Sequence, residues 1–88
     1  MLTKKQIKKN THETFVHLGR QLYERRLALG ITIEQLAMKT SVAPHYFDKI
    51  ESGKGYLPWG MLSYLAGCYD CKIKIELLEC HEGQDNSE

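Results

Sequence analysis

Three polar residues, His45, Tyr46 and Lys49, lie close together in a chain of 88 residues. They supply hydrogen-bond donors, an imidazole acceptor and a positive charge, a set suited to reading another molecule's polar surface. On a wheel of about 100° per residue centred on Phe47 and Ile50, His45, Lys49 and Ser52 point away from the apolar side, with Tyr46 and Asp48 on the flanks. Catalytic patterns fare worse. The run His12-Glu13-Thr14-Phe15-Val16-His17 misses the zinc-protease H-E-x-x-H by one residue, and its five-residue step turns the second histidine about 140° from the first. Gly53-Lys54-Gly55 lacks the flanking strand and the remainder of a phosphate-binding loop. No catalytic residue is assigned, and an enzyme is not expected.

Cysteine usage raises a rival of another class. Cys68-Tyr69-Asp70-Cys71, followed by Cys80-His81, has the residue types of a zinc site or a redox pair. A strand between Cys71 and Cys80, rising about 3.3 Å per residue, would hold them about 30 Å apart within one chain. Across a two-fold pair of such strands, Cys71 would stand opposite Glu79 of a second copy and near its Cys80, which leaves an intersubunit disulfide or metal site as the competing reading. Scattered thiols of an intracellular protein are ordinarily reduced. Neither a metal nor a cofactor is expected.

The elements that must position these residues follow from composition and periodicity. The chain suffices for one small domain, and a helical domain of this size gains stability by dimerising. It has no apolar run of the roughly 18 residues that a membrane span needs and no leader pattern at its start, so a soluble cytoplasmic protein is expected. The net charge of +1 says little, but its distribution is uneven. Lys4, Lys5, Lys8 and Lys9 make residues 1–10 read as a flexible basic arm, and Glu82, Asp85 and Glu88 make 81–88 read as an acidic disordered tail.

Between these ends, residues 11–70 read as an all-α domain of four to five helices. The spacing Asn10-Thr11-His12-Glu13 predicts a capping box and a helix start near Asn10 or Thr11. Phe15, Leu18, Leu22 and Leu29 mark its buried stripe, and Arg26 falls on that stripe, where a charge needs a partner. Glu51, near the core side of a later helix, is the expected one, giving a structural ion pair. Gly30 reads as the stop of this first helix, and Thr32 with Gln35 as a second capping box. Leu36 and Thr40, then Phe47 and Ile50, give two short helices one shared apolar side, with Val42 in the turn between them. Pro44 suits the first turn of the second of these helices. After Gly53-Lys54-Gly55, Pro58 opens a fourth helix whose Met61, Leu62, Leu65 and Tyr69 close the core.

Residues 71–80 change period. Lys72-Ile73-Lys74-Ile75-Glu76-Leu77 alternates polar and apolar, the pattern of a strand. A lone strand leaves its backbone unpaired, so the same strand of a second copy is the expected partner in an antiparallel sheet between subunits. Directly opposed residues share a face. Centring the pair on Ile75 sets Lys74 against Glu76 twice and Ile73 against Leu77, whereas centring on Lys74 or Glu76 opposes like charges. Ile73, Lys74, Ile75, Glu76 and Leu77 are the expected dimer interface.

Leu18-Gly19, Leu22, Arg26, Gly30, Thr32, Leu36-Ala37, Val42, Ile50-Glu51, Gly53, Pro58 and Leu65-Ala66 together resemble the Cro/XRE family of lambda-repressor-like helix-turn-helix transcriptional regulators, over most of the chain. The resemblance implies that fold, an arginine–glutamate bridge between first and third helices at Arg26 and Glu51, and, as in antitoxin-type relatives, a C-terminal strand shared between subunits. It implies a sequence-specific DNA-binding regulator, a repressor, acting as a homodimer on a roughly palindromic operator in double-stranded DNA. His45, Tyr46 and Lys49 then become base contacts, and Thr32, Lys39 and Lys54 phosphate contacts. The alternative within the same fold is an antitoxin or interaction module that binds a toxin or other protein and has weak or no DNA binding. Ile33 stands where relatives often carry a glutamine, Ser41 replaces the usual turn glycine and Ala43 the usual serine cap. Asp48 adds repulsion toward phosphate, although it can accept from a cytosine amino group.

Overall fold

Thr3 starts the first helix. Its hydroxyl oxygen accepts from the Gln6 amide at 3.1 Å, while its own amide donates to the Gln6 side chain at 2.8 Å, a complete capping box. Helix α1 then runs over Lys4–Ala28 in the computed structural model, which describes residues 2–79. The helix therefore begins about two turns before the Asn10–Thr11 start that the spacing predicted, and the basic segment read as a flexible arm is helical from Lys4 on. Thr11, expected at the helix start, sits inside the helix and, like Thr14, donates back to the carbonyl four residues earlier, that of Ile7 for Thr11 and of Asn10 for Thr14. Every residue from Lys4 to Thr14 is exposed. No apolar period marks this part, so its sequence looks like that of an arm.

Helix α1 ends at Leu29, with Gly30 at φ 71°. The Ile31 amide donates to the Arg26 carbonyl and the Gly30 amide to that of Leu27, the paired bonds of a Schellman closure. That closure turns Ile31 onto the core and leaves Leu29 exposed, correcting the stripe expected to end at Leu29. Thr32 caps α2, Ile33–Thr40, through a second reciprocal box with Gln35. Ser41 to Ala43 make the turn, and α3 spans Pro44–Glu51 with proline in its first turn. Gly53, at φ 79°, closes α3 as Gly30 closes α1. Pro58 is the cap residue of α4, Trp59–Cys68, and Asp70 takes the left-handed position that follows it.

Leu22, Leu36, Phe47, Ile50, Leu57, Leu65 and Tyr69 form the core. Leu57 joins it from the α3–α4 loop, where an isolated leucine carries no periodicity to mark it. Among the described residues there are four helices and no strand; 71–79 carry no regular element within the single chain. Cys80, His81 and the tail expected at 81–88 lie outside the described residues. No helix among those described is long and apolar enough to cross a membrane.

Candidate functional site

Helix α3 is held against α1 along its length. A methyl group added at Gly19 would meet the backbone of α3, with the Glu51 carbonyl oxygen at 2.8 Å, so only glycine permits this approach. One at Gly53 would meet the Val16 backbone at 2.7 Å. Leu27, near the other end of α1, borders the same cleft as Pro44 and Asp48. The two helices are thus antiparallel neighbours, and the exposed first half of α1 extends past the C-terminal end of α3.

The structure brings Arg26 and Glu51 together in a two-pronged ion pair. Arg26 Nε donates to Glu51 Oε2 at 2.7 Å and an outer guanidinium nitrogen to Oε1 at 3.0 Å. The other outer nitrogen donates to the Ile31 carbonyl at 2.8 Å, so one side chain ties α1, the α1–α2 turn and α3. Both partners are about nine-tenths buried. The guanidinium also lies 5.6 Å from the Tyr23 ring centre, within cation–π range. The hydrogen bond to Glu51 holds the Arg26 pKa above its ordinary value. Tyr69, 1% exposed, lies close enough to feel both charges, and burial pushes its phenol up to about 12. Arg25 adds a further tie, donating to the Tyr69 carbonyl at 3.1 Å.

With Phe47 and Ile50 turned inward, His45, Asp48, Lys49 and Ser52 are left exposed. Among the described residues no hydrogen bond or ion pair engages the side chains of His45 or Lys49. Tyr46 differs from them. It is half-buried, its ring stands edge-on to Phe47 at 5.4 Å, and its hydroxyl donates to the Tyr56 carbonyl at 3.2 Å. Burial, then Tyr56, raises its pKa. The helix wheel alone had no means of finding this bond, because Tyr56 lies in an irregular loop.

Thr32, Lys39 and Lys54 are all exposed. The Thr32 oxygen already accepts from the Gln35 amide, which leaves its hydroxyl proton to donate outward. Ser41 is left-handed, with φ 61° and ψ 30°, a conformation that costs a residue bearing Cβ. Ala43 caps α3 without a side-chain bond. Of the thiols described, Cys68 is half-buried and Cys71 exposed, the latter donating to the Tyr69 carbonyl. No group of three or more histidine, cysteine or acidic residues among those described is placed to hold a metal ion.

Residues 17–72, more than half of the chain, match a family model described as a helix-turn-helix domain. No curated protein and no solved structure matches significantly.

Proposed function

Because the chain belongs to the helix-turn-helix domain family, we propose that it is a sequence-specific DNA-binding transcriptional regulator, a repressor that acts as a homodimer on a roughly palindromic operator. The observation that carries this reading is the outer side of α3, where the exposed His45 and Lys49 have no described partner while the opposite side is anchored by the Arg26–Glu51 pair. A short helix held rigidly by its back and polar in front suits the major groove, with residues near its N-terminus reaching base edges.

Lys49 fits the paired acceptors of guanine, and His45 a base or the adjoining backbone. Tyr46 reaches a base with its ring edge, or with its hydroxyl oxygen as acceptor while the proton stays on the Tyr56 carbonyl. Thr32, Lys39 and Lys54 supply phosphate contacts, which carry most of the affinity and its salt dependence. Residues 73–77 pair two copies and so set the distance between their α3 helices.

Mobility-shift titration against duplex DNA from upstream of the coding sequence, with excess competitor DNA, tests the reading. Specific binding is expected to survive the competitor and to weaken as salt rises. Replacing His45 and Lys49 together by alanine should remove specificity, at about 1–3 kcal/mol for each good base contact, and leave thermal unfolding unchanged. Binding that is unaltered in this variant overturns the assigned face. An absence of specific binding in the parent chain favours the protein-interaction module instead.

A further inference from the structure

A groove of about 520 Å³ runs between α1, α4 and residues 71–74, away from the polar side of α3. Leu18 and Leu22 from α1, Leu62 and Ala66 from α4, and Ile73 give it a largely apolar lining, to which Glu24, Arg25, Lys72 and Lys74 add charge. Just beyond Ile73 the same segment carries Ile75 and Leu77 into solvent, 71% and 96% exposed. An open apolar groove beside bare apolar side chains marks an interaction surface.

Within the segment, Lys74 Nζ and Glu76 Oε1 meet at 3.6 Å. Half-buried Ile73 lines the groove between Lys72 and Lys74, and Ile75 and Leu77 follow it outside the lining.

We infer that the groove seats Leu77 of a second copy of this chain, an inference that rests on the homodimer reading above. In an antiparallel pair centred on Ile75, residue 77 of one copy stands opposite residue 73 of the other. Opposed residues share a face with Cβ atoms about 4.5–5.5 Å apart. Leu77 of the partner subunit thus lands beside Ile73 and over Leu18, Leu22 and Leu62. Two-fold symmetry repeats the contact, so each groove is filled by the other copy and the interface closes. In the same register, Lys74 of each copy faces Glu76 of the partner subunit. The contact has a functional consequence. It attaches the partner to α1, the helix that holds α3 through Arg26 and Gly19, so dimer geometry passes directly to the DNA-facing helices.

Carbon-13-labelled chain mixed with unlabelled chain tests this by isotope-filtered NMR. Leu77 methyl groups are expected to show intermolecular contacts to the methyls of Leu18, Leu22 or Leu62. The Leu77→Asp variant is expected to raise the dimer dissociation constant at least about tenfold, the scale of losing one buried leucine, with monomer unfolding unchanged because Leu77 is bare in the single chain. A parent chain that stays monomeric at millimolar concentration overturns the homodimer reading together with the groove seat. A dimer that shows no contact from Leu77 to α1 or α4, or one that Leu77→Asp does not weaken, overturns the groove seat alone.

Discussion

Arg26 uses three N–H donors inside the fold, two on the Glu51 carboxylate and one on the Ile31 carbonyl. Truncating either charged partner to alanine strands the other charge in a largely dry site, with an expected loss of about 3–5 kcal/mol in urea denaturation. Replacing both at once, Arg26→Met with Glu51→Leu, should recover most of that loss, since the expense lies in the unpaired charge. About 1 kcal/mol should remain missing, because the Ile31 carbonyl still lacks its donor. Tyr69 gives a pH dependence of definite sign. Burial raises its folded pKa from 10 to about 12, so below pH 10 the hydroxyl is neutral in both states and costs nothing. Between pH 10 and about 12 the unfolded chain loses this proton and the folded chain keeps it, so stability falls as pH rises. Comparing Tyr69→Phe with the parent in denaturant melts from pH 9 to 12 should show a shallower alkaline decline in the variant.

At the scale of elements, most boundaries are set by short-range signals. The Thr32–Gln35 box, Pro44 in a first turn and the left-handed Gly30 and Gly53 each act over three to five residues, so they are legible without any tertiary information. The start of α1 is ambiguous in sequence for a related reason. Thr3–Gln6 and Asn10–Glu13 both have capping spacing, and only the backbone decides between two local signals of the same kind. Ser41 is a place where sequence and geometry disagree. Its left-handed conformation costs about 1–2 kcal/mol relative to glycine, whereas glycine loses about 0.5–1 kcal/mol more entropy on folding. Strain outweighs entropy, and Ser41→Gly is expected to stabilise the protein by about 0.5–1 kcal/mol in thermal or chemical melts. A neutral or destabilising result would mean that this turn is not strained in solution.

For the whole molecule, the segment after α4 links stability to association. If residues 73–77 pair two copies about Ile75, the midpoint of thermal unfolding should rise with protein concentration, as mass action requires. The variant Ile75→Cys should then form a covalent dimer under mild oxidation, because opposed strand residues lie at Cα separations a disulfide can span. Mapping the bond by mass spectrometry distinguishes it from links through the native cysteines. A concentration-independent midpoint with no such link would remove the proposed register. The sequence by itself determined the helical class, the order of the helices, the polar side of α3 and the need of Arg26 for a partner, because periodicity, caps and a charge on an apolar stripe are properties of nearby residues. Only the tertiary structure decided that Tyr46 gives its hydroxyl to Tyr56, that Leu57 is core and Leu29 is not, that Tyr69 sits beside the ion pair, and that a largely apolar groove lies open beside Ile73. Each of these depends on how chain reversals bring together segments between ten and several tens of residues apart, and no local pattern encodes that meeting.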